Sequence, residues 1–226
     1  MGSRPTEHVE TELKFEVSGD FALPDLGSPA DGVAMTAPEV FLLVASYFDT
    51  ADLRLAKAGI TLRRRTGGSD AGWHLKLPVT AGTRRELQVP LGDDATAVPA
   101  QLASQVATWV RDEPLQVVAV LETRRTVRRL TGSGGETLAE VADDAVTGQV
   151  PGRGDDAAEP ATWREIEIEL VGGGPEILAA ARARMTAAGA RPSSAASKLG
   201  RLLGARAAVS QGGVKGAGQA GGGSGP

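Results

Sequence analysis

Alternating apolar and polar residues recur along much of the chain, and this pattern predicts a fold built mainly of β-strands. Residues 8–17 place Leu13, Phe15 and Val17 on one side of a strand and charged residues on the other. A period of two is the signature of a strand because successive side chains point to opposite faces of its sheet. Further strand-like runs occupy residues 40–50, 60–66, 72–79, 83–91, 115–130, 136–148 and 163–171.

Apolar residues at helical spacing are confined to a few segments, so the expected fold class is α+β, mainly β. The predicted helices cover residues 51–59, 98–113, 175–190 and 193–204, the last of them capped by Ser193 or Ser194. Glycine pairs or Ala-Gly steps separate neighbouring strands and predict tight turns at Gly67-Gly68 and Ala81-Gly82. We therefore expect one domain over residues 1–204 and a glycine-rich disordered linker or tail over 205–226.

Composition narrows the functional classes. The 226 residues are 41% hydrophobic, enough for the core of a single domain, and carry a net charge of −4. Without a basic field, the chain is not expected to bind nucleic acid or an anionic membrane, and any anion site must be local. The absence of cysteine excludes thiolate metal sites and fits a reducing cytoplasm, and no run of about 18 apolar residues predicts a membrane-spanning helix.

The polar faces of several predicted strands carry charge of one sign. Residues 165–170 alternate glutamate with isoleucine or leucine, and residues 60–66 place Arg63 and Arg65 on one face. A solvated face is the simpler interpretation of each strand alone, but segregated like charges destabilise a sheet unless counter-ions compensate them. Clustered glutamates suit Mg²⁺ or Mn²⁺, and clustered basic residues suit phosphate oxygens. A sheet curled into a barrel could enclose a metal–polyphosphate complex.

The order of these motifs resembles that of the CYTH family, the triphosphate tunnel metalloenzymes. The resemblance begins with the spacing Glu10-x-Glu12-x-Lys14 and continues through YFDT (47–50), LRRR (62–65), WHLKLP (73–78), RRE (84–86), TRR (123–125), EVADD (140–144), EIEIEL (165–170) and SKLGRLL (197–203). It implies an eight-stranded antiparallel closed barrel forming a tunnel, flanked by a few helices. It also implies one of three activities: hydrolysis of inorganic triphosphate, hydrolysis of thiamine triphosphate, or cyclisation of ATP by a class IV adenylate cyclase.

The resemblance also implies roles for individual residues. The implied metal ligands are Glu10, Glu12, Asp144, Glu165, Glu167 and Glu169, with Asp143 as the alternative to Asp144. The implied substrate contacts are Lys14, Arg63, Arg65, Lys76, Arg84, Arg125 and Lys198, with Arg124 as the weaker candidate beside Arg125. Glu86 and Glu140 are implied charge partners of the basic residues, and Lys14, Glu10 and Glu12 are the residues expected to act in catalysis.

Among the three activities, hydrolysis of inorganic triphosphate with Mg²⁺ or Mn²⁺ is our prediction. Aromatic residues make up only 4% of the chain, which leaves little surface on which a nucleoside or thiamine ring could stack. Relatives that cleave thiamine triphosphate tend to have an aromatic residue where this chain has Thr61, although Trp163 could lie at a tunnel mouth. A polyphosphate-binding module without catalysis is the alternative of another class. The resemblance is also compatible with a homodimer and with a C-terminal CHAD domain that this chain lacks.

Overall fold

The structure is a computed structural model that describes residues 5–28, 31–80, 83–92, 97–151 and 159–204. The predicted turn at Ala81-Gly82 and the predicted tail at 205–226 lie outside the described residues. The strands are β1 (Thr6–Val17), β2 (Ala34–Met35), β3 (Glu39–Asp49), β4 (Thr61–Thr66), β5 (Gly72–Thr80), β6 (Thr83–Val89), β7 (Gln116–Thr131), β8 (Thr137–Gln149), β9 (Ala161–Leu170) and β10 (Arg191–Pro192). The helices are α1 (Arg54–Lys57), α2 (Ala100–Val110), α3 (Pro175–Ala187) and α4 (198–204).

Eight of these strands close into an antiparallel barrel, which confirms the predicted fold. Neighbouring strands follow the order β1-β6-β5-β4-β3-β7-β8-β9, and β9 pairs with β1 to complete the ring. Strand β1 closes the ring because its two halves pair with different strands: residues 6–11 pair with β6, and residues 12–17 pair with β9. The short strands β2 and β10 add to β7 and β1 outside the ring.

The apolar core lies largely outside the barrel wall rather than within it. One cluster packs the outward residues of β1, β8 and β9, such as Phe15 and Ile168, against Met185 of α3. A second cluster packs outward residues of β4, β5 and β6, such as Leu75, against Leu102 of α2. Because alternate residues of a strand face opposite sides, burying these apolar residues outside turns the charged residues of the same strands inward.

Helix α4 covers one end of the barrel with an apolar contact. Leu199 and Leu202 pack against inward-facing residues, including Tyr47, Leu121 and Val146. This third cluster lies on the same side of the strands as the charged interior, so it closes the barrel beside the charges.

The closing helix begins later than the sequence pattern predicts. It starts at residue 198, and Ser197 Oγ accepts a hydrogen bond from the Gly200 N–H at 3.0 Å, so the predicted caps Ser193 and Ser194 are wrong. The Ser193 N–H instead donates to the Lys14 carbonyl at 2.9 Å and extends the pairing between β10 and β1. Competition from strand pairing therefore delays the helix by several residues.

The predicted glycine turn between β4 and β5 is confirmed. Gly67 and Gly68 both have positive φ angles, 79° and 75°. A Cβ atom on Gly67 would lie 2.0 Å from the Leu42 carbonyl oxygen, so this close approach requires glycine. Within the described residues, none of the helices has the length and apolar character needed to cross a membrane.

Candidate active site

Charged side chains from six strands and α4 converge on a narrow cavity inside the barrel. Its volume is about 60 Å³, and nearly all of its lining residues are polar or charged. The predicted site residues that line it are Glu10, Glu12, Lys14, Arg63, Arg65, Lys76, Arg84, Glu86, Arg125, Glu167, Glu169 and Lys198. The inward parity of the strands thus brings together residues that lie up to 188 positions apart, from Glu10 to Lys198.

One half of this interior is a tightly ion-paired cluster, which we call the paired cluster: Lys14, Arg125, Asp144, Glu165, Glu167 and Lys198. Lys198 Nζ lies 2.9 Å from Asp144, 2.8 Å from Glu165 and 2.8 Å from Glu167. Lys14 Nζ lies 2.5 Å from Glu167, and Arg125 donates two hydrogen bonds to Asp144 at 2.8 and 2.6 Å. Every carboxylate of the paired cluster therefore has a cation in contact.

The pKa values of the paired carboxyls follow from these contacts. Burial opposes ionisation of Glu167, but the charges of Lys14, Lys198 and Arg125 hold its pKa well below the ordinary value. Burial likewise opposes ionisation of Asp144, and Lys198 and Arg125 lower its pKa. Lys14 keeps its charge for the reciprocal reason: burial opposes it, but Glu167 raises its pKa. Three basic and three acidic side chains therefore compensate one another in the paired cluster.

The structure distinguishes the two adjacent aspartates that the sequence left open. Asp144 is fully buried inside the barrel, in the paired cluster. Asp143 faces the other side of β8, where Arg164 donates to its two oxygens at 2.8 and 2.7 Å. Of the two, Asp144 is therefore the residue that faces the barrel interior, although it and Glu165 lie behind the cavity rather than on its lining.

Glu12 and Glu169, which we call the unpaired carboxylates, lack such compensation. They lie directly opposite each other on β1 and β9, and no ion pair within 4.0 Å joins either to another described residue. Burial and the charges of Glu10 and Glu12 raise the pKa of Glu169 to about 7. Burial, followed by a hydrogen bond with Glu86, also raises the pKa of Glu10. Carboxylates with surplus negative charge on the lining of one cavity suit a hard divalent cation.

Arg63, Arg65 and Arg84 form a basic surface of the same cavity, which we call the arginine wall. The Nε atoms of Arg63 and Arg65 are buried and have no hydrogen-bond partner within the described part of the chain. Burial and the like charges of Arg63 and Arg125 lower the pKa of Arg65 to about 9, although its guanidinium contacts the half-exposed Asp70 carboxylate. Buried N–H groups without acceptors are a ready site for an anion.

A second cavity, of about 260 Å³, adjoins the first and forms a mouth of the barrel. The two cavities share Glu10, Asp70, Glu86, Arg125 and Glu169 along their linings. The mouth adds apolar Phe41 and Leu43 on one side and Glu140 with Arg129 on another.

Besides Asp144 and Glu165, which lie behind the inner cavity, two further predicted site residues are not on its lining, Glu140 and Arg124. Glu140 is at the mouth, 36% exposed, with its Oε2 3.7 Å from Arg129 Nε. Arg124 is exposed on the outside of β7, because Arg125 takes the inward position. It lines a separate concavity of about 980 Å³.

Trp163 lies at the barrel end covered by α4, not in either of the two adjoining cavities. Its Nε1–H donates to Glu165 Oε2 at 2.6 Å, and the Arg201 guanidinium carbon is 5.5 Å from the ring centroid. The ring therefore holds a buried carboxylate in place and offers no stacking surface beside the arginine wall.

Sequence reasoning did not include several residues that line the inner cavity: Tyr47, Thr61, Asp70 and Ser197. Thr61 lies two positions before Arg63 on β4, so the same parity that places the arginine inward predicts its position. Tyr47, whose hydroxyl lies 3.4 Å from Arg63 Nη1, carries no comparable signal because it lies in an apolar run. Asp70 reaches the cavity from a turn, where strand parity gives no guidance.

Comparison with known proteins agrees with this arrangement. A profile of the CYTH domain matches residues 8–201. The chain belongs to the CYTH family. Proteins of this family depend on metal ions and bind substrates that contain a triphosphate.

The chain is also similar to two curated relatives and to two solved structures. Two proteins of Mycobacterium tuberculosis, both named as uncharacterized, are 42% identical over an alignment of 212 residues, and the matches cover 89% of this chain and 41% of each relative. The chain thus spans 41% of the length of these relatives.

A structure from Bacillus halodurans, described as a candidate adenylate cyclase, has a TM-score of 0.59 at 17% identity and covers 87% of this chain and 98% of its own. A protein of Pyrococcus horikoshii has a TM-score of 0.51 at 16% identity, with 87% and 99% covered. At these identities, the two structures support the fold alone.

Proposed function

We propose that this CYTH protein hydrolyses inorganic triphosphate to pyrophosphate and phosphate with the help of Mg²⁺ or Mn²⁺. One observation carries the proposal: the unpaired carboxylates Glu12 and Glu169 and the arginine wall face the same narrow cavity. Surplus negative charge on one side and N–H groups without acceptors on the other suit a cation bound together with a polyphosphate. A molecule that only binds polyanions has no use for these carboxylates, which would repel the ligand.

The chain's own residues divide the work of the proposed reaction. Glu10, Glu12 and Glu169 hold a divalent cation, which supplies Lewis-acid polarisation of the phosphate and activation of water. Arg63, Arg65, Arg84 and Lys76 bind phosphate oxygens and stabilise the charge that moves onto the departing pyrophosphate, since phosphoryl transfer depends mainly on positioning and electrostatics.

The paired cluster supports this arrangement by fixing β1, β7, β8 and β9 relative to one another. Lys14 and Arg125 reach the lining of the inner cavity from that cluster, where they are already charged. A ligand phosphate at that lining would meet cations whose positions are set by Glu167 and Asp144. The cluster therefore contributes charge and rigidity, and its carboxylates Asp144, Glu165 and Glu167, whose ligand oxygens lie within 4.8 Å of one another, could also hold a metal ion.

The size and lining of the inner cavity favour a bare polyphosphate over a substrate with a ring. About 60 Å³ leaves little room, and the only aromatic lining residue among those described is Tyr47, whose hydroxyl is directed to Arg63. A thiamine or adenine ring would have to lie outside this cavity.

The residues at the mouth support a second candidate substrate, a nucleoside triphosphate. Phe41 and Leu43 line the 260 Å³ cavity that adjoins the phosphate-binding residues, and the apolar face of Phe41 could support a base there. The triphosphate would then occupy the inner cavity with its nucleoside at the mouth. Both ATP hydrolysis and cyclisation to cyclic AMP are compatible with such a pose.

The decisive experiment measures phosphate release from inorganic triphosphate, ATP and thiamine triphosphate at equal concentrations, with Mg²⁺, with Mn²⁺ and with a chelator. We expect metal-dependent release chiefly from inorganic triphosphate, and no cyclic AMP. Phosphate release from ATP but not from inorganic triphosphate, or formation of cyclic AMP, would indicate that the substrate is a nucleotide. Triphosphate binding without turnover of any substrate would indicate a binding module instead.

Two substitutions on β1 test the role of the unpaired carboxylates. Glu12→Gln should lower metal-dependent release by about 100-fold or more, which corresponds to roughly 3 kcal/mol of activation free energy. The matched control is Glu7→Gln, because Glu7 lies on the same strand but pairs with Arg85 outside the cavity at 3.1 Å. Equal activity in the two variants would contradict the proposed metal role of Glu12.

A further inference from the structure

Three metal-ligating atoms converge at the mouth of the barrel in a set that includes an imidazole. His8 Nε2 lies 3.4 Å from Glu10 Oε1 and 3.1 Å from Glu86 Oε2. We infer that His8, Glu10 and Glu86 form a binding site for a first-row transition metal that imidazole favours, such as Zn²⁺. Glu10 is shared with the carboxylate set of the proposed function, whereas Glu86 and His8 lie outside it, and the inference does not depend on which reaction the chain performs.

The distances match those between ligands of one ion. Metal–ligand bonds to imidazole nitrogen and carboxylate oxygen are about 2.0–2.2 Å long. Ligands at that distance stand about 3.0 Å apart in an octahedral arrangement and about 3.4 Å apart in a tetrahedral one. The observed separations of 3.1 and 3.4 Å fall in this range, and the three ligand atoms all lie within 4.8 Å of one another.

Neighbouring side chains orient both carboxylates toward His8. The Nδ1 of His74, a residue only 2% exposed, lies 2.7 Å from Glu86 Oε1, which leaves Oε2 directed to His8. Lys76 Nζ donates to Glu10 Oε2 at 2.5 Å, which leaves Oε1 directed to His8. Metal ligands in proteins are commonly held in this way by a second layer of hydrogen bonds.

The composition of the site predicts which cations it prefers. An imidazole ligand favours Zn²⁺, Cu²⁺ and Ni²⁺ over Mg²⁺, which prefers oxygen ligands and gives up water reluctantly. The His8 side chain is 46% exposed, so solvent and ions reach it directly. Lys76 Nζ lies 4.0 Å from Glu86 Oε2 and opposes a bound cation, so the preference rests on the nitrogen ligand rather than on net charge.

The chain's histidine content makes a direct test practical. His8 and His74 are its only two histidines, so imidazole nitrogen NMR of the intact chain has two sets of signals. On titration with one equivalent of Zn²⁺, we expect the His8 nitrogens to shift strongly and those of His74 to shift less. Unchanged His8 signals in the presence of bound Zn²⁺ would overturn the inference.

Calorimetry of variants supplies the second readout. His8→Gln should weaken Zn²⁺ binding by about tenfold or more, and leave Mg²⁺ binding unchanged, because only the nitrogen ligand is lost. Glu7→Gln, on the same strand but outside the barrel, should leave both affinities unchanged. Equal Zn²⁺ affinity in His8→Gln and wild type would contradict the site.

The two proposals fail separately. If wild type binds Zn²⁺ through His8 but releases no phosphate from triphosphate, the proposed function fails and the metal site stands. If phosphate release with Mg²⁺ is normal but His8 does not respond to Zn²⁺, the metal site fails and the proposed function stands.

Discussion

Two glutamates of β9, only two residues apart on the same face, have opposite electrostatic environments. Glu167 contacts three cations, with Lys14 at 2.5 Å and Lys198 and Arg125 at 2.8 Å, and its pKa is well below the ordinary value. Glu169 has no ion pair with a described residue, and its pKa is raised to about 7 by burial and by the neighbouring carboxylates.

The difference separates a structural half of the barrel interior from a half that is ready for a ligand. Buried charges that are fully paired hold the strands and α4 in register, and removing one partner leaves the others uncompensated. Buried charges without partners destabilise the folded state until a ligand compensates them, and perturbed pKa values of this kind cluster at functional sites. Both residues line the inner cavity, but Glu167 is compensated by cations of the barrel itself, whereas Glu169 leaves negative charge that a ligand can compensate.

The largest expected effect comes from breaking the paired half. Lys198→Met removes a buried cation that contacts Asp144, Glu165 and Glu167, so the unfolding free energy should fall by about 3–5 kcal/mol. Urea unfolding measures the change, with Lys57→Met as control because Lys57 is exposed on α1. A loss below about 1 kcal/mol in Lys198→Met would mean that the cluster is not structural.

A pH dependence tests the unpaired half. The pKa of Glu169 is about 7 in the folded protein against 4.5 as the ordinary value, so the folded state holds its proton more tightly. This contribution to stability is fully present below pH 4.5 and is lost as the pH rises through about 7, with an upper limit of roughly 3 kcal/mol. In the presence of a chelator, the unfolding free energy of wild type should therefore decrease more than that of Glu169→Gln as the pH rises from 4.5 to 8.

Urea titrations of the two proteins at several pH values measure this difference, and other titrating groups cancel in the comparison. Saturating Mn²⁺ should reduce it, because a cation at the unpaired carboxylates replaces the proton. Parallel pH profiles of unfolding free energy for wild type and Glu169→Gln would show that the pKa of Glu169 is not raised in the folded protein.

Much of this comparison is within reach of the sequence. Period-two alternation predicts which residues of β1, β4 and β9 share a face, and so it places Glu10, Arg63 and Glu167 on one surface. The closed barrel, however, was implied by the family resemblance, since alternation alone also describes an open sheet with one solvated face. In the structure, helices α2 and α3 cover the apolar faces of the strands, so the charged faces must point into the barrel. The sequence does not show where these helices pack.

Which carboxylate has a counter-ion is beyond sequence reasoning. Lys198 reaches Asp144 from α4, and Lys76 reaches Glu10 across 66 positions, so the pairing depends on long-range packing. With only two histidines and no ligand-like spacing, the sequence makes a histidine metal site an improbable interpretation of His8. His8 shares the parity of Glu10, but its partner Glu86 comes from β6, and only the register of the two strands brings them together.

Substitutions at adjacent arginines sharpen the contrast in ligand binding. Arg63→Met should weaken triphosphate binding by about 30- to 100-fold, since a charge-assisted hydrogen bond contributes about 1.5–3 kcal/mol. Arg64, the next residue of β4, faces the opposite side, and Arg64→Met should leave the affinity unchanged. Calorimetry with inorganic triphosphate measures both, and equal affinities would remove the arginine wall from the site.

The smallest expected effect comes from the aspartate outside the barrel. Asp143→Asn breaks the pair with Arg164, in which both side chains keep some contact with solvent, so the unfolding free energy should fall by about 1 kcal/mol or less. Asp144→Asn should cost several times more, because it leaves the buried Lys198 and Arg125 with fewer carboxylates. Urea unfolding measures both changes. If the unfolding free energy falls by a similar amount in the two variants, the buried ion pairs of the paired cluster stabilise the fold no more than the pair outside the barrel. A large loss in Asp144→Asn alone would show that one step along β8 separates a surface ion pair from the frame of the site.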